Sequence, residues 1–270
     1  MLYRFDFSCE HAVVQEIVPG QEIEIWCPDS DGLSDELEAL PPHLFGPDNP
    51  VFPGTHAGNP CYGPIRVQGA RAGDTLAVRV LSVTPRRVGR TWTAPRHGFV
   101  SPAAMAEAQD GQEAAGSAFH WQEHMFMWDI DADTGTCVVK NPLQPKARGA
   151  AHSVAMRPFP GCLATAVAPG APQAAAMFCG AHGGNLDCAD FCAGTTVYLP
   201  VAADGALLYV GDLHAAQGPS TESASLSNSS CFPALRRAQV LYKIVIGVRK
   251  HCVSLKKTSA DVRLTVRDRF

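Results

Sequence analysis

Two short polar clusters hold the residues of this chain best suited to chemistry. The first is His182-Gly-Gly-Asn185-Leu-Asp187, and the second is Asp212-Leu-His214-Ala-Ala-Gln217. Between them lie a strand-like run (Thr195 to Val201), a turn at Asp204-Gly205 and a second run (Ala206 to Val210). That order predicts a β-hairpin whose antiparallel pairing brings both clusters to one end of a sheet. Two carboxylates, two imidazoles and two amides then meet, which is the composition of a metal-hydrolase site. Zinc in a catalytic site takes about three protein ligands and keeps one position open. Asp187, Asp212 and His214 supply that number. Asp212 and His214 are two apart, so a regular strand points both to the same face. His182 is placed as a fourth ligand or a proton shuttle. Asn185 and the backbone N–H groups of Gly183 and Gly184 are placed to hold a developing oxyanion, with Gln217 as a further substrate-binding amide. Zinc is the first choice of ion; manganese and calcium also suit such a donor set.

Further residues extend the pattern. HGGNLD, a strand ending in YLPV, and GDLHAAQG together resemble the acetamidase/formamidase family of amide hydrolases. Asn59 to Val83 (NPCYGPIRVQGARAGDTLAVRVLSV) is similar to that family's GPI-V-GA-PGD signature, and Arg157 to Pro169 (RPFPGCLATAVAP) to its PF-G-x-G-VAP segment. Pro19 to Gly32 resembles its first turn-strand and aspartate loop. The likeness runs through residues 19–218 in four blocks. It implies a divalent metal, a small amide as substrate and ammonia as product. A bound ion makes such hydrolysis feasible because it acidifies water and polarises the carbonyl.

One family feature is displaced. The family motif continues as GDGE after HAAQG, and its Glu is the natural general base. Here Thr221 stands at the corresponding position and Glu222 one residue later, a slip that turns a strand side chain to the other face. Glu222 is therefore the expected base in an impaired register. Two other readings stay open: a non-catalytic β-sandwich of the same fold, and a thiol amidase pairing a cysteine with His182. The remaining clusters have plainer uses. His120 and His124 sit among Trp121, Met125, Phe126 and Trp128, which suggests packing, and Cys188/Cys192 lack a second metal-spaced pair nearby.

The elements that must position these groups are short alternating runs bounded by Pro, Gly and Asp. Glu22 to Trp26 follows Pro19-Gly20, and Thr75 to Val83 follows Ala72-Gly73-Asp74 with Leu76, Val78 and Val80 on one face. Such spacing predicts a mainly β fold, an antiparallel two-sheet sandwich with few helices. Helical signal is confined to Leu33 to Leu40 and the Ala-rich Ser101 to Ala118. The chain of 270 residues contains 24 Gly and 21 Pro, which suits loop-rich β structure. Its ten cysteines are scattered, as in a protein of a reducing compartment. No apolar run approaches the ~18 residues of a membrane span, and no secretory signal pattern opens the chain. A cytoplasmic homodimer is expected, with neither membrane nor nucleic acid as partner. Composition shifts near residue 219. Residues 231–270 hold ten Lys/Arg against Asp261 and Asp268, while the chain as a whole carries a net −4. Residues 1–218 thus read as the amidase-like β domain and 219–270 as a divergent basic tail with one or two strands, Ala238 to Val248 and Ser259 to Asp268.

Overall fold

A computed structural model describes residues 3–27, 59–93, 124–140, 153–217, 236–237 and 240–249. Alternating apolar and polar residues make strands, and strands account for all the regular structure among them. In chain order these are β1 (Tyr3–Arg4), β2 (Gln15–Ile17), β3 (Glu22–Cys27), β4 (Cys61–Val67), β5 (Thr75–Thr84) and β6 (Val88–Thr93). There follow β7 (His124–Asp131), β8 (Thr136–Val139), β9 (Ser153–Ala155), β10 (Phe159–Ala164) and β11 (Cys179–Gly180). The last five are β12 (Gly183–Asn185), β13 (Thr196–Pro200), β14 (Leu208–His214), β15 (Arg236–Arg237) and β16 (Val240–Arg249). The two segments with helical signal, 33–40 and 101–118, lie outside the described residues, as does 259–268. Among the described residues, no helix is long and apolar enough to cross a membrane.

Two sheets form, as the spacing predicts. The smaller has the order β13-β5-β16-β3, and the larger joins twelve strands around the neighbours β12-β10-β14. All pairings are antiparallel except that of β2 with β4. The core lies between the sheets. Ile23 and Ile25 of β3, Leu76, Val78 and Val80 of β5, and Ile244 and Ile246 of β16 face Ile65, Leu163, Leu208 and Val210 of the larger sheet. A second apolar cluster, with Phe7, Cys61, Cys162, Ala164 and Tyr209, covers the other side of β10 and β14. Tyr209 fastens the N-terminal segment there, its hydroxyl donating to the Ser8 carbonyl at 2.5 Å. With apolar cover on both sides, every residue of β10 and β14 is buried.

The expected hairpin is replaced by an arch. β13 pairs with β5 in the smaller sheet, whereas β14 pairs with β10 and β4 in the larger one. The reason lies in the turn. Gly205 N donates to Ala70 O (2.9 Å), Val67 N to Gly205 O (2.8 Å), and Ala72 N to Asp204 Oδ1 (3.0 Å). These bonds therefore go to the end of β4 and the β4–β5 loop and not to β13 or β14. Ala206 and Leu207, both at positive φ, then direct the chain into the other sheet. The β4–β5 connection crosses the sandwich in the same way, so two arches lie side by side.

The alternating run near 238–248 forms β16, and it has partners on both sides: β3 from Val240↔Cys27 to Val245↔Glu22, and β5 from Leu241↔Thr84 to Arg249↔Thr75. Ile246 is fully buried in the shared core. Replacing it by Ala should cost about 2–5 kcal/mol of folding stability, the usual loss for a buried Ile truncated in a close-packed core. Urea unfolding measures this directly. A loss under ~1 kcal/mol would place β16 outside the cooperative core.

Candidate metal centre

The two clusters meet across one intervening strand. β10 pairs with β12 on one side, Cys162 opposite Asn185, and with β14 on the other, Phe159 opposite His214 and Cys162 opposite Gly211. Asp187 thus approaches from one flank and Asp212 with His214 from the other. One ligand atom of each lies within 4.8 Å of the others. Gly161 of β10 forms the floor between them. A Cβ there would fall 2.5 Å from His214 Cε1, 2.7 Å from Asp212 O and 2.8 Å from Asp187 Oδ1. Only a residue without a side chain leaves the three groups room to converge. Gly161 O also accepts the backbone N–H groups of Leu186 (2.9 Å) and Asp187 (3.1 Å), which fixes the turn carrying Asp187.

The same-face geometry expected of Asp212 and His214 arises by an irregular route. Asp212 has a left-handed φ of 48°, which breaks the alternation of β14. Val210 and Leu213 both enter the inter-sheet core despite being three apart. Asp212 Oδ2 consequently lies near Asn185, whose side chain is on the Cys162 side of the sheet. Asp and Asn enter the left-handed region more readily than most residues. Asp187, at φ 45°, uses the same freedom.

His214 is 1% exposed, and its ring stacks on Phe159 with centroids 4.8 Å apart and planes within 7°. Neither of its ring nitrogens makes a hydrogen bond to a described residue, although Nε2 lies 3.9 Å from Asp187 Oδ1. A buried imidazole held this way needs a partner. Asp212 is fully buried, while the Asp187 side chain is 25% exposed and opens the cluster to solvent. Two carboxylates this close repel each other when both are charged. A divalent cation neutralises both and gives the imidazole its partner, so the donor set fits zinc or manganese.

The other expected site residues are placed as follows. Asn185 joins the cluster, one atom of its amide lying 3.0 Å from Asp212 Oδ2 and 3.3 Å from Asp187 Oδ1. Gln217 Nε2 donates to the Asp187 carbonyl at 2.6 Å, holding the ligand turn. His182 stands outside the cluster. Its ring packs 5.3 Å from that of Phe7, and burial pushes its pKa below the ordinary value. At Gly183 and Gly184, whose N–H groups were expected to hold an oxyanion, the space a side chain would need is filled by the backbone of Leu163 and Phe178. Those glycines allow strands to pack closely. Glu222 and Thr221 lie outside the described residues. Among the described residues, Cys9, Cys27, Cys61, Cys162, Cys188 and Cys192 are free thiols. Cys162 borders the cluster, but burial raises its pKa well above the usual thiol value, which keeps it protonated and a poor nucleophile. Sequence reasoning did not single out Gly161 or Phe159 as site residues, though both stand in the PFPG block quoted for the resemblance.

The acetamidase/formamidase family model matches residues 142–224, a span containing Gly161, Asp187, Asp212 and His214. Among solved structures, an acetamidase from Bacillus halodurans is 25% identical with a TM-score of 0.64, the match covering 93% of this chain and 70% of that one. An acetamidase from Yersinia enterocolitica is 22% identical at TM-score 0.62, with 92% and 65% covered. A gamma lactamase from Delftia acidovorans shares the fold at 16% identity and TM-score 0.61, with 92% and 64% covered. The chain thus spans about two thirds of the length of these proteins. No curated protein matches it. The resemblance read from the motifs is borne out by these likenesses in sequence and fold.

Two outcomes follow from the geometry. Gly161→Ala should abolish zinc uptake, because the added methyl displaces His214 or Asp187; isothermal titration with Zn²⁺ tests it, and unchanged affinity would mean that Gly161 is not the floor of the site. His182 supplies a pH dependence. Its folded pKa lies below the unfolded value of 6.5, so the unfolded chain takes up the proton first. The stability contributed by the neutral ring is complete above about pH 6.5 and is lost as pH falls through the lower, folded pKa. Thermal midpoints measured from pH 8 to 5 should therefore fall less steeply in His182→Gln than in the wild-type protein.

Proposed function

We propose that this chain, similar to the acetamidase/formamidase family across residues 142–224, is a metal-dependent hydrolase of small linear amides that releases ammonia. The observation carrying this reading is the buried imidazole of His214. It is packed against two carboxylates, and neither of its nitrogens is hydrogen-bonded to a described residue. The likeness to an acetamidase and to the acetamidase/formamidase family model supports acetamide and formamide as the substrate class.

Asp187, Asp212 and His214 would hold the ion, zinc in the first place and manganese or calcium as alternatives. When bound, a divalent ion supplies Lewis acidity toward the amide carbonyl and lowers the pKa of water toward neutrality. The chain's own residues do the rest. Phe159 fixes the plane of His214, and Gln217 and Gly161 O fix the turn of Asp187. Asp187, the only member of the three with solvent access, marks the side from which a small substrate arrives. We assign Glu222, displaced by one residue from the family's acid and so an impaired general base, as the carboxylate that takes the proton, and His182, outside the ligand cluster, as a proton shuttle. The free thiols of Cys9, Cys27, Cys61, Cys162, Cys188 and Cys192 agree with a cytoplasmic enzyme.

Protein purified without chelator should contain a divalent ion and release ammonia from formamide or acetamide, losing activity on chelation and regaining it on reloading. Asp212→Ala should lose both the metal and turnover. Glu222→Gln should keep the metal and lose about 10²–10⁴-fold in kcat, the usual worth of a general base. Full turnover in metal-free protein would overturn the mechanism. A loaded protein inert toward every small amide would instead favour the non-catalytic reading.

A further inference from the structure

Asn59 lies next to the metal ligands without being one of them. It is fully buried and has a left-handed φ of 47°. Its Nδ2 lies 3.0 Å from the inner atom of the Asn185 amide, the same atom that lies 3.0 Å from Asp212 Oδ2 and 3.3 Å from Asp187 Oδ1. Cys162 Sγ stands 3.2 Å from that atom, and Asn59 Nδ2 is also 3.6 Å from the sulfur. The Asn185 amide is therefore set between two groups of opposite demand. On one side are carboxylate oxygens; on the other are an N–H and an S–H able to donate.

Which amide atom faces inward depends on the charge in the site. Toward two carboxylates with no cation between them the nitrogen fits, because it donates to both, and Asn59 then meets it by turning its own amide so that Oδ1, otherwise buried without a hydrogen bond to a described residue, accepts. Toward a divalent cation the oxygen fits, because it is the only amide atom that ligates. In that orientation the N–H of Asn59 donates to the Asn185 oxygen, the single S–H of Cys162 is shared between that oxygen and the Ala176 carbonyl, each 3.2 Å away, and the ligand dipole would point at a bound cation. Resting on the metal reading above, we propose that Asn59 is a positioning residue that turns the Asn185 oxygen toward the bound ion, making Asn185 a fourth protein ligand beside Asp187, Asp212 and His214. Outer groups that orient ligands in this way typically account for 10–100-fold in metal affinity.

The test uses the full chain, with Zn²⁺ titrated against a chromophoric chelator and Co²⁺ absorption reporting the ligand field. Asn59→Gly accepts the left-handed backbone and removes the donor. It should weaken Zn²⁺ binding by about 10–100-fold and alter the Co²⁺ spectrum. Asn185→Leu should weaken binding at least as much, and the double variant should be no worse than Asn185→Leu alone, since Asn59 acts only through Asn185. Should Asn59→Gly fail to melt cooperatively, Asn59→Asp replaces it: the shape is kept, but a carboxylate facing Asn185 draws its nitrogen and turns its oxygen away, so the Co²⁺ spectrum should still change. An unaltered affinity and spectrum in the Asn59 variants would overturn the proposal, as would losses that multiply in the double variant. A wild-type chain that takes up neither ion would overturn the metal centre itself, which is a separate result.

Discussion

The candidate site depends on one position that carries no side chain. Three polar side chains must converge above β10, and a single Cβ at Gly161 would collide with the His214 ring, the Asp187 carboxylate and the backbone carbonyl of Asp212. The surrounding arrangement keeps that space open and polar in a region otherwise filled with Leu, Val and Phe. β12 and β14 are registered on the same strand, Phe159 braces the imidazole, and the carbonyl of Gly161 takes two amides of the Asp187 turn. Polar atoms without water cost several kcal/mol unless they find partners. Holding His214 in full burial, with neither ring nitrogen hydrogen-bonded to a described residue, is therefore an expense that a merely stabilising core has no reason to incur.

The way the strands reach this arrangement shows which parts of it could be read from sequence. Period-two alternation made β3, β5 and β16 legible, because a half-buried strand must show its inner face every second residue. β10 was not legible by pattern. Phe159 to Ala164 is buried on both sides, and its sequence FPGCLA alternates in nothing. It was marked only by likeness to a family segment. The turn at Asp204-Gly205 was correctly seen as a turn, yet the pairing of its flanking strands was misjudged. Its hydrogen-bond partners, residues 67–72, are more than a hundred positions away. Local chemistry specifies a reversal of direction; it does not say which sheet receives the returning strand.

The site shows the same division. Asp187, Asp212 and His214 were nameable because carboxylates and imidazoles at two-residue spacing are themselves chemical signals. That Asp212 would take a left-handed conformation was not, because Asp tolerates both hands. Gly161 and Asn59 carried no signal of their own. A glycine says nothing about what approaches it from across a sheet, and a buried asparagine says nothing about whose amide it faces.

The position of β16 has a consequence for how the molecule is made. It separates β3 from β5, and its pairing with β3 joins residues more than 200 apart in sequence. Contacts of that separation form late, since a long loop must close before any pairing energy is returned. During synthesis β3 and β5 emerge first, with no strand yet available to lie between them. Their facing edges remain open hydrogen-bonding templates until residues 240–249 arrive, a state in which sheets are prone to join with other chains. The interval between the fifth strand and the sixteenth is therefore the stretch of synthesis in which the smaller sheet stands open along its middle.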